Sequence, residues 1–165
     1  MAVSSSGGVA DAFVWIKDGL PPGTYPVPSE AVTLDQKGCE YRPRVFGIRA
    51  GQTLVLANSD PILHNVHAPG FNVPLPSVGA RVSRKFPRPE VMATITCDVH
   101  PWMRAYAGVT PHPFFAVTGA DGTFSIPNLP AGSYTLQVWH EKLGMTEQKV
   151  TLADGETKTL LFDVK

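Results

Sequence analysis

Apolar and polar residues alternate over short stretches along most of the chain, a spacing that is typical of β-strands. The alternation is clearest in residues 91–97, where Ile95 and Cys97 share the predicted inward face with Val91. Residues 54–57 are apolar at every position, which predicts a strand buried on both faces. The other predicted strands are short segments bounded by Gly, Pro or Asp-Gly turns: 12–17, 31–34, 45–48, 81–86, 114–118, 123–126, 133–139, 150–152 and 159–164.

Helical spacing occurs only in residues 141–148, where Gly144 weakens it. The turn between 45–48 and 53–57 favours a hairpin, and the Pro- and Gly-rich stretch 68–80 predicts a loop. The pattern as a whole therefore predicts an all-β protein built from short strands and turns.

Composition supports this interpretation and excludes several classes of protein. The 165 residues include 15 Gly and 16 Pro, which disfavours long helices. With 14 basic and 14 acidic residues the net charge is zero, which argues against nucleic-acid binding. Apolar runs are too short for a transmembrane helix, and two cysteines do not make a disulfide framework.

Residues 97–103 carry the most informative chemistry. Cys97, His100 and Met103 follow a predicted apolar strand, and His64 follows another. One tight loop can bring the first three side chains to the same side, while the histidine from a different strand end would fix a metal between two loops. A thiolate, two imidazoles and a thioether are the ligands of a trigonal blue-copper site with a long axial methionine.

Two polar residues next to these donors are predicted to support them. Asn65 directly follows His64, so its backbone N–H is expected to donate to the thiolate sulfur. Its side chain is expected to contact the cysteine loop near Asp98. Hydrogen bonds of this kind orient metal ligands and tune the reduction potential.

The pattern Cys97-x-x-His100-x-x-Met103, preceded by His64-Asn65, resembles the cupredoxins, and the short loop is most similar to that of the amicyanins. The resemblance covers residues 30–110. It implies a Greek-key β-sandwich with one type 1 copper near one end. By this resemblance His64, Cys97 and His100 are equatorial ligands and Met103 is axial.

The motif Asp121-Gly122-Thr-Phe124-Ser-Ile126, followed by Leu129-Pro130-Ala-Gly132-Ser-Tyr134, resembles carboxypeptidase regulatory-like (transthyretin-like) modules. This implies a small prealbumin-like β-sandwich over residues 112–165, without catalytic residues of its own. Because that span is short for such a module, the strand in 12–20 is expected to be shared with it. Residues 1–11 are interpreted as a flexible linker, with a natural leader removed or replaced.

Other readings of the metal donors stay open from the sequence. Cys39 and Cys97 with His64 and His100 would form a Cys2His2 zinc site, and a buried cysteine near an incidental histidine and methionine is the simplest alternative. Cys39 is expected to be a buried free thiol. The sequence assigns no role to His67, His112 or His140, although His140 is expected at the surface.

The function that these observations favour is electron transfer by a periplasmic or extracellular carrier, not catalysis. Copper would cycle between Cu(I) and Cu(II), and electrons would leave through His100. Pro69, Phe71, Pro101 and Trp102 are expected to form an apolar rim for a redox partner such as a cytochrome or dehydrogenase. The second module would dock the carrier onto a larger complex. Copper storage or delivery, and a structural β subunit with a copper or zinc site, are the alternatives.

Overall fold

The computed structural model describes residues 3–164, and the regular structure of these residues is entirely β. Met1, Ala2 and Lys165 lie outside the described residues, so the first two positions of the predicted linker do too. No helix in residues 3–164 is long and apolar enough to cross a bilayer. The strands of the described chain are β1 (Phe13–Asp18), β2 (Val32–Gln36), β3 (Tyr41–Arg42), β4 (Val45–Arg49), β5 (Leu54–Asn58), β6 (His64–Ala68), β7 (Phe71–Leu75), β8 (Arg81–Arg84), β9 (Glu90–Thr96), β10 (Arg104–Thr110), β11 (Phe115–Val117), β12 (Gly132–His140) and β13 (Gly144–Leu152). The predicted all-β class is confirmed.

The chain folds into two compact units. One, here called the continuous unit, is Tyr25–Pro113. The other, here called the split unit, combines the chain up to Thr24 with the chain from Phe114 onward. The continuous unit therefore interrupts the split unit along the sequence.

The continuous unit contains two β-sheets. One has five strands in the order β4-β10-β9-β6-β7, and the other has four in the order β3-β2-β5-β8. Leu34 and Leu56 from the smaller sheet share one buried cluster with Ile48, Val66 and Ile95 from the larger sheet. All five side chains are fully buried, so the inner faces of the two sheets form a single sandwich core.

Three local expectations for this unit are wrong. The segments 45–48 and 53–57 do not form a hairpin, because β4 pairs with β10 while β5 pairs with β2 and β8 in the other sheet. The turn between them thus carries the chain across the sandwich. The stretch 68–80 is not only a loop, since it contains β7, which pairs with β6 along its full length.

The third difference is a β-bulge in β9. The register of β9 against β10 shifts between Ala93 and Glu90, and Met92 has a φ of 59°. The extra residue turns Met92 into the core and leaves Val91 43% exposed. A strict period of two therefore holds only from Ala93 to Cys97, which is the part that leads into the candidate site.

Arg49, at the end of β4, holds the two ends of the continuous unit together. Its side chain is buried, and its two terminal nitrogens donate to the carbonyls of Tyr25, Pro26 and Pro111 at 3.0, 3.1 and 2.8 Å. Burial lowers the pKa of its guanidinium. A planar fork with several donors can satisfy carbonyls from two separate segments at once.

The split unit is built on one four-stranded sheet in the order β11-β1-β12-β13. Strand β1 lies between β11 and β12, with Phe13 opposite both Val117 and Trp139. The residues of the weak helical pattern instead form a turn and the start of β13. The predicted strands 123–126 and 159–164 contain no regular ladder, although Phe124 and Phe162 pack with ring centroids 6.2 Å apart.

Residues 3–11, part of the predicted flexible linker, are held to the split unit by hydrogen bonds. The N–H of Asp11 donates to the carbonyl of Thr118 at 3.2 Å, and the Thr118 hydroxyl donates to the carbonyl of Val9 at 2.7 Å. Gly8 passes so close to residue 121 that a Cβ on it would lie 1.8 Å from the Asp121 carbonyl oxygen. Only glycine fits this close approach.

Candidate metal centre

The loop between β9 and β10 carries three of the four predicted metal donors. Cys97 directly follows β9, and Met103 directly precedes β10. The N–H of Met103 donates to the carbonyl of His100 at 3.0 Å, which closes a tight turn. The loop therefore starts and ends at the same edge of the five-stranded sheet.

The fourth donor reaches this loop because of the strand order. His64 is the first residue of β6, which pairs with β9 through His67 opposite Thr96. Since the two strands are antiparallel, the start of β6 and the end of β9 lie at one edge. His64 is fully buried there.

Three donor atoms converge at this edge. The Nδ1 atoms of His64 and His100 are 3.0 Å apart, and the Sγ of Cys97 is 3.7 Å from the Nδ1 of His100. Ligand atoms of all three residues lie within 4.8 Å of one another. Met103 is 1% exposed and belongs to the same buried cluster as Cys97.

The spacing of these atoms fits a bound metal ion. A trigonal ion with bonds of about 2.0 Å to nitrogen and about 2.3 Å to sulfur would hold two nitrogens about 3.5 Å apart and a nitrogen and sulfur about 3.7 Å apart. The two observed separations, 3.0 and 3.7 Å, are close to these values. A slight separation of the two imidazole rings would give the nitrogens the spacing that such an ion needs. The mixed sulfur and imidazole donors suit copper.

Asn65 connects the thiol to its own loop. The Cys97 thiol donates to the Asn65 side-chain oxygen at 3.3 Å, and the N–H of Asp98 donates to the same oxygen at 2.7 Å. The Asn65 amide donates in turn to the Asp98 carboxylate at 2.9 Å. The expected contact between Asn65 and the loop is therefore present, and it is made by both ends of the side-chain amide.

Two further residues complete this network, and sequence reasoning missed one of them. Asn72 on β7 accepts from the Asn65 amide at 2.7 Å and donates to the Asp98 carboxylate at 2.8 Å. His67 contacts the same carboxylate at 2.9 Å. These contacts, His67 first, lower the pKa of Asp98. Asn72 could not be found from sequence because it lies in the stretch expected to be a loop.

Tyr41 ties the strands that carry the donors. Its buried hydroxyl donates to the backbone carbonyls of Asn65 on β6 and Thr96 on β9. Burial and the nearby Cys97 and Asp98 raise the pKa of Tyr41 far above its usual value. The phenol therefore stays neutral and remains a hydrogen-bond donor at this position.

Asp60 is a second residue that the sequence did not single out. Its carboxylate contacts the Nε2 of His64 at 2.9 Å. It also accepts the backbone N–H groups of Gly38 and Cys39 at 2.8 and 2.9 Å. A carboxylate on Nε2 places the ring proton there and leaves Nδ1 free as a metal ligand. The Cys39 N–H above all, then the Gly38 N–H and His64, lower the pKa of Asp60 to about 2.

The lowered pKa of Asp60 predicts a pH-dependent contribution to the stability of the metal-free protein. An Asp with a native pKa of about 2 against an ordinary pKa of 3.8 contributes on the order of 2 kcal/mol when it is ionised in both the folded and the unfolded state. That contribution is complete above pH 3.8 and is lost as the pH falls towards 2. Urea unfolding of the wild type and of Asp60→Asn should therefore differ most near neutral pH and converge in acid. A difference that is the same at both pH values would contradict this assignment.

The remaining cysteine and histidines take different places. Cys39 is a free thiol that is only partly buried, and its Sγ groups with Asp60 and His64 instead of with Cys97. Among the described residues, the four donors of the Cys2His2 zinc alternative thus do not form one group. His112 is buried, with its carbonyl accepting from the Thr110 hydroxyl at 2.8 Å.

His140 is not at the surface as expected. It is 2% exposed, because it occupies an inward position at the end of β12. Its Nδ1 accepts the backbone N–H of Lys142 at 3.2 Å. Burial is the main cause that lowers the pKa of His140, so its place in the fold favours the neutral ring.

The expected apolar rim is only partly formed by the predicted residues. Trp102 is 63% exposed and its ring centroid lies 5.1 Å from that of His100. Pro69 and Pro101 are exposed, whereas Phe71 packs against the core with its ring 5.5 Å from that of Phe86. Other exposed apolar side chains sit next to the histidines in sequence: Ile62, Leu63 and Val99.

The split unit contains a cavity of about 940 Å³, lined by the sheet face of Val14 and Val138 and by the irregular segments around Phe124 and Phe162. Its lining shows that the segments without a ladder face the sheet. The candidate metal donors do not line it.

Comparison with known proteins gives one family match. Residues 105–165 match the carboxypeptidase regulatory-like domain, which confirms the resemblance predicted for the carboxyl-terminal part. No curated protein is similar to the chain in sequence.

Several solved structures are similar to part of the chain. Amicyanin from Paracoccus versutus shares 21% identity, with 59% of this chain and 97% of that chain covered and a TM-score of 0.43. A purple cupredoxin from Nitrosopumilus maritimus shares 22% identity over 47% of this chain and 98% of its own, with a TM-score of 0.42. A copper-containing nitrite reductase from Thermus scotoductus shares 20% identity over 56% of this chain and 25% of its own, with a TM-score of 0.42.

Proposed function

We propose that the continuous unit holds one copper ion between His64, Cys97 and His100, with Met103 as a fourth, weaker ligand, and serves as a one-electron carrier. The observation that supports this most directly is the convergence of two imidazole nitrogens and one thiol sulfur within 4.8 Å at one edge of the five-stranded sheet. Copper bound by these residues would supply a Cu(I)/Cu(II) couple.

The protein's own residues favour fast electron exchange because they are held in place before any metal binds. Asp60 orients His64 through Nε2, and Asn65 accepts from the Cys97 thiol. Tyr41 links the two strands behind them. A ligand set that cannot rearrange suits both copper oxidation states, so little reorganisation accompanies electron transfer.

The exit route proposed for the electron runs through His100. This ring is partly buried, and it lies against the exposed indole of Trp102. Apolar side chains beside a half-buried ligand let a redox protein approach closely through a small, transient interface. A cytochrome or dehydrogenase would be a partner of this kind, and a periplasmic or extracellular location stays a prediction.

We also propose that the two units are separate domains, with the metal-binding sandwich inserted into the carboxypeptidase regulatory-like module. The central position of β1 between β11 and β12 supports this proposal. Docking of the protein onto a larger complex would be the role of the module. The test is whether a substitution that destabilises the continuous unit shifts the unfolding of that unit alone.

The test of the electron-carrier function is colour. Metal-free protein loaded with Cu(II) should bind one copper per chain and show an intense visible band from charge transfer between thiolate and Cu(II). A mild reductant should bleach the band, and reoxidation should restore it over repeated cycles. A colourless protein at full metal occupancy would contradict the proposal and favour a zinc or structural role. A band that does not recover would contradict reversible electron transfer.

A further inference from the structure

A second set of metal-binding side chains lies beside the first. A sulfur of Cys39, a carboxylate oxygen of Asp60 and a ring nitrogen of His64 all lie within 4.8 Å of one another. The three residues come from different places in the fold: the turn between β2 and β3, the loop after β5, and the start of β6. The first set explains why Asp60 contacts His64, but it gives no reason for the thiol of Cys39 to lie beside them.

The backbone around Cys39 holds the carboxylate of this set in place. Gly38 and Cys39 have φ values of 67° and 56°, and left-handed backbone is uncommon for a residue other than glycine. In this conformation both N–H groups point at Asp60. Trp102 fixes the same turn, because its indole N–H donates to the Cys39 carbonyl at 3.1 Å. The strained turn therefore brings a thiol to a carboxylate that is already oriented.

The charge of the donors and their access to solvent both suit a cation. The Asp60 carboxylate and a metal-bound Cys39 thiolate would together supply two negative charges, enough to neutralise a divalent ion. Cys39 is partly exposed and lines a small cleft of about 170 Å³ together with Trp102 and Arg104. An ion can therefore reach the thiol from solvent without opening the sandwich core.

We propose that Cys39, Asp60 and His64 form a second metal site, which binds a soft divalent cation such as Zn²⁺ or Cd²⁺ with water as a fourth ligand. Three protein ligands with sulfur, nitrogen and oxygen donors plus one water make a normal tetrahedral set for these ions. His64 presents Nε2 to Asp60 and Nδ1 to His100, so the imidazole has one nitrogen for each set. Binding releases the thiol proton of Cys39 to solvent, and the ring proton of His64 moves from Nε2 to Nδ1, so that Nε2 can bind the ion.

The first experiment uses Cd²⁺ and the metal-free Cys97→Ser variant, in which Cys39 is the remaining cysteine. One Cd²⁺ should bind per chain and produce an ultraviolet band from charge transfer between thiolate and Cd²⁺. Adding Cys39→Ser should abolish the band, and adding Asp60→Asn should weaken Cd²⁺ binding by at least about tenfold. Far-ultraviolet circular dichroism checks that each variant is folded. No band in folded Cys97→Ser, or a band that survives Cys39→Ser, would overturn the proposal.

A second experiment needs no change to the first set. Alkylation of Cys39 by iodoacetamide in the wild-type chain, followed peptide by peptide by mass spectrometry, should become at least about tenfold slower with Cd²⁺. The protection should disappear in Asp60→Asn. Equal alkylation rates with and without Cd²⁺ would refute the second site. Because neither experiment uses copper, their failure would leave the visible-band test of the electron carrier unaffected.

Discussion

Replacing Cys97 by serine should abolish the visible band of the Cu(II)-loaded protein. It should also lower the affinity for copper at least about tenfold. Serine keeps the size of the side chain and its hydrogen bond to Asn65, but its hydroxyl is a hard donor that neither gives the charge-transfer band nor suits Cu(I). Cys97 is 4% exposed and follows directly on β9, so the substitution removes the sulfur from the point where the two imidazoles converge. The measurements are the visible spectrum and a copper titration against a competing chelator.

Cys39→Ser is the matched control for this substitution. It also replaces one thiol by one hydroxyl, yet Cys39 does not belong to the group formed by His64, Cys97 and His100. The visible band should therefore persist in Cys39→Ser with little change in intensity. A band that survives Cys97→Ser, or that is lost instead in Cys39→Ser, would show that the copper thiolate has been assigned to the wrong cysteine.

Arg49→Met should destabilise the continuous unit by about 3 kcal/mol, the second large effect that the structure predicts. Methionine fills the space of the apolar stem but leaves the carbonyls of Tyr25, Pro26 and Pro111 without their donor. Urea unfolding followed through the visible copper band reports on this unit. Arg49→Lys should recover part of the loss, because one ammonium group cannot reach all three carbonyls.

Arg84→Met provides the comparison on an exposed strand of the same unit. The Arg84 side chain is exposed and donates to the carbonyl of its neighbour, Ser83, so its loss should cost less than about 0.5 kcal/mol. If Arg49→Met lowered the free energy of unfolding no more than Arg84→Met does, the buried guanidinium would not stabilise the contact between the two ends of the unit.

The parts of the site that could be predicted from the sequence are those that depend on local spacing. Cys97, His100 and Met103 lie in one short loop, so their donor types and intervals identify them before any fold is known. His64 was identified by its neighbour Asn65 and by the apolar strand before it. The contact between Asn65 and Asp98 followed from the same local logic.

The missed residues depend on backbone conformations that residue type alone does not specify. Asp60 reaches His64 with the help of two left-handed residues, and one of them is a cysteine. Asn72 was missed because its Pro- and Gly-rich surroundings indicated a loop, although Pro74 fits within β7 at the edge of the sheet. Val91 was misplaced because a single bulge at Met92 reverses the faces of the strand.

In the split unit, the local sequence pattern predicted the wrong secondary structure because pairing with a neighbouring strand overrides it. Residues 141–148 have weak helical spacing, but β12 offers a full antiparallel partner, and β13 pairs with it along nine residues. Residues 123–126 and 159–164 were predicted as strands from their apolar spacing, and Phe124 and Phe162 line the cavity of this unit. That spacing could not show that these segments would lack ladder hydrogen bonds.

The position of β1 in the middle of its sheet also sets an order of events during synthesis. Its four buried residues, Phe13 to Ile16, leave the ribosome before the continuous unit, whereas both neighbouring strands, β11 and β12, follow only after it. At about 5–20 residues per second this delay is on the order of ten seconds. The continuous unit can therefore fold and bury its core before β1 has a partner strand. The most apolar strand of the amino-terminal region is thus the one whose exposure lasts longest in the nascent chain.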